Sequence, residues 1–225
     1  MTQDRIPKII PLFPLPATVL FPKTYLPLHI FEPRYREMIE DALSDSGGGS
    51  RMIGMVLLKE NWEKDYYGSP PIHPIGCAGR IMQVQRLNNG RYNLVLYGLS
   101  TFLVKEPLLG RSYRRAWIEP IRSSGDSAPA LPDPLRSELV ASLQFYAQAR
   151  GWENQIRTVL AMRLDDDGLV HLLSSELDLT PIEKQFLLES DGLTRQCRRL
   201  IDLLGFMTDE QRSRKEANRP SDAGS

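Results

Sequence analysis

Hydrophobic and polar positions along this chain fall into three regimes. In the first, Pro11–Tyr35, the short apolar bursts Leu12-Phe13, Val19-Leu20-Phe21 and Leu26-Pro27-Leu28-His29-Ile30-Phe31 run among six prolines. Each proline lacks an N–H and drives its predecessor into extended geometry, which excludes a helix. The missing donors also argue against a central strand, so two or three short edge-like extended pieces joined by rigid turns are expected. At Glu32-Pro33 the period changes. Pro33 suits a first helical turn, and Tyr35, Met38, Ile39 and Leu43 recur at helical spacing, predicting a helix that ends near Leu43.

In the second regime the period is two. Arg51–Lys59 is apolar on both faces and predicts a buried central strand. Asn61–Pro74 is a loop with three prolines and the aromatic residues Trp62, Tyr66 and Tyr67. Gly79–Leu87 and Arg91–Leu96 flank Asn88-Asn89-Gly90, a turn chemistry that fits a hairpin. A bend is expected at Gly98-Leu99-Ser100 before a strand over Thr101–Lys105. Tyr113–Ile121 closes the set, with Ala116, Ile118 and Pro120 on one face and Tyr113, Arg115 and Trp117 on the other. Many short strands with little helix between them predict a small, mostly antiparallel β-barrel over Lys8–Arg122.

The third regime follows Arg122–Pro134, a Ser/Gly/Pro/Asp-rich linker after which the period becomes 3.6. Asp133 is the expected N-cap of a helix with Pro134 in its first turn and the stripe Leu135, Leu139, Leu143 and Tyr146. Further helices are expected over Glu153–Met162 and Leu169–Leu177, and after Thr180, where Thr180 and Glu183 form a capping-box pattern. A last long helix from near Asp191 places Leu193, Cys197, Leu200 and Leu204 on one face. The organisation predicted is an α+β chain: a barrel over 8–122, an α-helical bundle over 133–212 and a disordered tail over 213–225.

Charge refines this picture only slightly. The chain of 225 residues is neutral overall, but Met1–Arg122 carries 16 Lys+Arg against 11 Asp+Glu and the remainder carries 12 against 17. That asymmetry is too small to mark a nucleic-acid protein by itself. Two cysteines, Cys77 and Cys197, make no disulfide framework, and neither a signal segment nor a membrane-length apolar run is present, so a reducing cytoplasm is the expected compartment.

Catalytic motifs are missing. No glycine precedes a lysine, which removes the phosphate-cradling GxxxxGK[ST] loop, and no GxSxG elbow occurs. His29, His73 and His171 lack ligand-like spacing, and Asp165-Asp166-Asp167-Gly168 lacks the downstream ligands of a calcium loop. Those acids are better read as the lead into a helix N-terminus, and Cys77 as a small buried strand residue. No catalytic residue, metal or cofactor is expected. In Glu32-Pro33-Arg34-Tyr35, Arg34 is expected to pair locally and Tyr35 to enter the core. Arg80, Arg86 and Arg91 beside Tyr92, and Arg111, Arg114 and Arg115 beside Tyr113 and Trp117, are the candidate nucleic-acid surface.

The stretch PLFPLPATVLFPKTYLPLHIFEPRY, together with RMIGMVLL, IGCAGRI and the downstream PIEKQFLLE, Arg195 and Leu200…Leu204, resembles the N-terminal substrate-binding domain of Lon proteases. It looks most like the stand-alone bacterial relatives of that domain, and is similar to the Lon-like domain of cereblon. The resemblance implies a PUA-like barrel with a companion helical bundle, and a non-catalytic role in recognising unfolded or degron-bearing polypeptides. It further implies an adaptor or regulator in protein quality control, working with a protease or chaperone and without ATPase or peptidase modules. Neither nucleic acid nor membrane is an expected partner. Trp62, Tyr66, Tyr67 and Ile72 are the candidate peptide-binding residues, since aromatics dominate interface energetics. Two alternatives stand beside this reading: an RNA-binding PUA-like barrel, and a hydrolase whose motif is not recognised.

Overall fold

The structure, a computed structural model, describes residues 6–44, 51–66, 68–121 and 130–217. Six strands and six helices follow in the order β1 (Ile9–Leu15), β2 (Tyr25–Ile30), α1 (Pro33–Leu43), β3 (Met52–Leu57), β4 (Ile75–Arg86), β5 (Tyr92–Leu108), β6 (Arg114–Pro120), α2 (Asp133–Arg150), α3 (Glu153–Ala161), α4 (Asp166–Glu176), α5 (Pro181–Leu188) and α6 (Leu193–Ala217). A short 3-10 turn spans Trp62–Asp65. The class is α+β, a six-stranded sheet followed by helices.

The sheet order is β2-β5-β4-β3-β1-β6, with β6 also pairing the far end of β5. The expected barrel is not closed. The 17-residue β5 turns the sheet back towards β6, yet among the described residues β2 pairs with β5 alone and leaves an open edge. At Gly98-Leu99-Ser100 the expected bend takes the form of an irregularity within the continuous β5: Leu99 is the extra residue between the pairs Gly79–Gly98 and Ala78–Ser100. Glycine is needed at 98 for close approach. It exchanges backbone hydrogen bonds with Lys23 and Thr24, and a Cβ there would lie 2.0 Å from the Phe21 carbonyl oxygen. The hairpin between β4 and β5 forms as its turn residues require, with Gly90 at φ +74 and Gly90 N–H donating to Leu87 O.

β1 corrects a second expectation, because it is central despite Pro11 and Pro14. It pairs antiparallel with β6 over Ile9–Leu12 and parallel with β3 over Leu12–Leu15, so only Leu12 has a partner on both sides. Lys8 O accepts from Ile118 N–H, and the two-residue alternation then turns Ile10, Leu12 and Pro14 towards β6. Pro11 turns towards β3 with Leu15, whose carbonyl accepts from Leu58 N–H. Pro14 therefore faces the β6 side beyond the end of the β6 ladder, and Pro11 faces the β3 side before the β3 ladder begins.

β3 is buried on both faces, as its unbroken apolar run predicts. One face, with Ile53 and Met55, joins Phe13, Cys77, Leu94, Leu96 and the inward stripe of α1, Tyr35, Met38 and Ile39. The other, with Met52 and Val56, joins Ile10, Leu12, Ala78, Phe102, Ala116 and Ile118.

Two compact units emerge, residues 1–127 with 171–189, and residues 128–170 with 190–225. In the first, α5 is anchored on the sheet where Gln185 Nε2 donates to Ile75 O at 2.9 Å. Its Thr180/Glu183 capping box forms as the spacing predicts, each side chain accepting from the other's backbone N–H. In the second, α2 buries Leu135, Leu139, Leu143 and Tyr146, and α6 buries Leu193, Cys197, Leu200 and Leu204. The N-cap of α2 is Pro132 rather than Asp133, which instead places its carboxylate in the first turn. Asp165 does act as a cap, accepting from Gly168 N–H at 2.8 Å, and Asp166 receives Leu131 N–H and Arg136, both at 2.8 Å. α6 continues to Ala217, past the expected start of the tail; residues 218–225 of that tail, and 122–129 of the linker, lie outside the described residues.

Candidate functional site

The chain enters α1 through Glu32-Pro33-Arg34-Tyr35, and these residues tie the helix to the 61–74 loop. Glu32 makes no side-chain cap bond; its carboxylate accepts instead from Arg34 Nε at 3.0 Å and from the Tyr66 hydroxyl. The Arg34 guanidinium lies 4.6 Å from the Tyr35 ring centre and 5.1 Å from that of Tyr66, and it donates to the Tyr66 carbonyl at 3.4 Å. Burial opposes the Arg34 charge, but Tyr35, Glu32 and Tyr66 outweigh it and hold its pKa above the ordinary value. Burial, with the bond to Glu32 adding to it, raises the Tyr66 hydroxyl. Trp62 packs edge-on to Tyr66 with ring centres 5.5 Å apart.

Beside this cluster opens a groove of about 680 Å³, its walls the 68–72 segment, Arg34-Tyr35 and the connection from β5 to β6. Pro70, Pro71, Ile72 and Leu108 supply apolar surface, and Leu109 stands 91% exposed at the rim. Ile72 is held in place by a bridge to Leu58. Of the four candidate residues, Ile72 lines the groove, while Tyr66, under the Arg34 guanidinium, and Trp62, packed on Tyr66, are half-buried and not among its walls; Tyr67 lies outside the described residues. The arginines at 111, 114 and 115 meet on the same groove, which the sequence grouped only as neighbours. Arg34, read from sequence as a local partner, lines it as well.

The groups that would serve other chemistries are placed apart or sealed. Cys77 is fully buried, and burial pushes its thiol far above the ordinary range. His29 contacts Asn93, His73 contacts Glu189 and His171 lies beside the Phe21 ring. Among the described residues, no group of three or more His, Cys, Asp or Glu could hold a metal ion, and no helix is long and apolar enough to cross a membrane. Of the three rings offered for base stacking, Tyr92 and Tyr113 are buried, with their hydroxyls donating to Glu40 at 2.9 Å and Asp41 at 2.6 Å, while Trp117 on β6 is exposed and does not line the groove.

Residues 9–205 match the family model described as the ATP-dependent protease La (LON) substrate-binding domain. The chain belongs to the LON substrate-binding domain family. Similar proteins include the Lon protease of Desulfosudis oleivorans, 25% identical over 90% of this chain and 25% of that protein, and the Lon protease of Flavobacterium johnsoniae, 26% identical over 93% and 25%. The chain thus spans about a quarter of the length of these curated relatives. Among solved structures, the N-terminal domain of a Mycobacterium avium complex Lon protease superposes with a TM-score of 0.65 at 19% identity, covering 88% of this chain and 98% of that one. A Lon N-terminal domain protein from Xanthomonas campestris gives 0.62 at 22% identity, with the same coverage. At these identities the likeness is one of fold. The LON substrate-binding domain is defined by binding rather than by bond cleavage, which accords with a groove whose walls are arginines, prolines and aliphatic side chains.

Proposed function

We propose that this chain recognises polypeptide, taking exposed apolar segments of unfolded or degron-bearing proteins into the groove between the 61–72 loop and the β5–β6 connection. It works without peptidase or ATPase chemistry of its own, as an adaptor or regulator in protein quality control. Trp62, Tyr66, Tyr67 and Ile72 are its proposed anchors, joined by Leu109. The observation that carries this reading is the groove itself: a trough whose apolar wall is restrained by Pro70 and Pro71, with an exposed leucine at its rim. A restrained wall loses little entropy when a partner settles on it. The family's description as a substrate-binding domain supports the same reading.

Hydrogen exchange in the presence of a permanently unfolded, reduced and amidomethylated protein tests it. Protection is expected over 68–72 and 107–115, and the Ile72→Ser/Leu109→Ser double variant, both residues lining the groove, should lose about 1–3 kcal/mol of affinity. Protection elsewhere, or unchanged affinity, overturns the assignment.

A further inference from the structure

Four guanidinium groups line the groove, and they are not equally neutralised. Arg34 has Glu32 at 3.0 Å, and Arg111 has Asp41 at 3.1 Å and Glu37 at 3.8 Å. Among the described residues, Arg114 and Arg115 bond only to main-chain carbonyls: Arg114 Nη1 donates to Pro70 O at 2.8 Å, and Arg115 Nη2 to Leu109 O at 3.3 Å. The Arg115 Nε is buried and has no partner among the described residues. Asp65 acts on Arg114 only at longer range, and its carboxylate already accepts from Ser69 N–H at 3.0 Å. Burial lowers the Arg114 pKa, and the neighbouring Arg34 charge pushes the same way. Like charges thus converge in a half-buried trough, and a carbonyl offers them only partial compensation.

We propose that the groove selects segments in which an Asp or Glu side chain adjoins a bulky apolar residue, the carboxylate seated on Arg114 and the apolar group against Ile72 and Leu108. The inference rests on the polypeptide-binding reading and narrows its substrate class. The charged donors facing the groove are guanidinium forks, which recognise acidic side chains, whereas chain ends are typically captured by successive backbone N–H groups. A nucleic acid in the groove would need open ring faces for stacking; Tyr113, which lines it, is buried and bonded to Asp41, and the exposed Trp117 lies outside its walls.

Fluorescence anisotropy with short Gly/Ser peptides, both ends blocked and carrying Phe-Glu-Leu or Phe-Gln-Leu, tests the proposal on the unaltered chain. The Glu peptide should bind roughly tenfold tighter, the scale of a hydrogen bond between charged groups, and added salt should erode the difference. Arg114→Gln should abolish the preference, so that its Glu and Gln peptides bind alike; Arg157→Gln, exposed on α3, should leave both affinities and the preference unchanged. If both peptides bind equally, acidic selection fails while polypeptide binding stands. If neither binds, both readings fail. A Gln peptide with a free carboxyl end that matches the blocked Glu peptide would reassign the arginines to chain ends. A single-stranded oligoribonucleotide that outcompetes every peptide would reassign them to nucleic acid. Should Arg114→Gln not fold, the Glu-to-Gln difference and its salt dependence on the unaltered chain decide the matter.

Discussion

Gly98→Ala should be among the most damaging single-methyl additions in the sheet unit. The added Cβ would sit 2.0 Å from Phe21 O, 2.8 Å from Phe21 C and 3.1 Å from Pro22 Cα. Ordinary contact begins near 3.4 Å, so the 21–22 backbone must withdraw by about 1.4 Å, the difference between 3.4 and 2.0. It has little freedom to do so. Phe21 is fully buried, Thr24 Oγ1 donates to Phe21 O at 2.8 Å, and Gly98 is bonded on both backbone groups, to Lys23 at 2.8 Å and Thr24 at 2.9 Å. Overpacking costs about 1–3 kcal/mol, and losing one or two of these bonds adds about 0.5–1.5 kcal/mol each. Lower unfolded-chain entropy with alanine returns about 0.4–1 kcal/mol. The net expectation is a loss of about 2–4 kcal/mol, read as a lower midpoint in guanidinium titrations followed by far-UV circular dichroism. Gly98 lacks a positive φ, so the backbone itself tolerates alanine and the effect is one of space. A loss below about 1 kcal/mol would show that the 21–24 crossing is looser than the packing implies.

Two further outcomes follow from buried titratable groups. Burial lifts Tyr35 to about 12, and burial with the bond to Asp41 lifts Tyr113 to about 12, both from 10.0. Their contribution to stability is full below pH 10 and is lost as pH rises towards 12, because the unfolded chain gives up these protons first; a Tyr35→Phe/Tyr113→Phe variant should flatten that decline in a series of thermal melts, and an unchanged slope would refute it. Cys77, fully buried with a raised thiol pKa, and Cys197, pushed up to about 11 by burial and by the Glu138 and Asp166 charges, should react with iodoacetamide only at the rate of unfolding; fast native labelling of Cys77 would contradict its placement.

What the sequence reveals here depends on how far apart the cooperating residues lie. The two-faced burial of β3, the Asn-Asn-Gly hairpin and the Thr180/Glu183 box involve neighbours within one element or one turn, so pattern alone exposes them. The centrality of β1 is not visible, because a proline breaks a ladder only if its missing N–H faces a paired strand, which is decided by partners far along the chain. Gly98 reads locally as a bend, but its reason is a backbone 77 positions earlier. The groove is the extreme case. Arg34, Pro70 and Arg114 are spread across three separate stretches and share no periodicity, so their convergence follows only from the fold. Tyr66 likewise turns back onto Glu32, which an exposed-loop reading of aromatics does not foresee.

The two prolines of β1 also have a bearing on how the chain reaches its fold. Each stands one step outside a ladder, Pro14 past the last residue joined to β6 and Pro11 ahead of the first joined to β3. If β6 slid towards the end of β1 by one ladder repeat, it would meet Pro14 and find no donor; if β3 slid towards the start, it would meet Pro11 and find none. Either slip leaves a buried carbonyl without its proton, at about 1–3 kcal/mol. Alternation of apolar residues cannot prevent such a slip, because a shift of two keeps every side chain on its own face. The prolines therefore act as stops at both ends of one short strand, and a chain carrying Pro11→Val and Pro14→Val would keep its core composition while losing the marks that tell β3 and β6 where to halt.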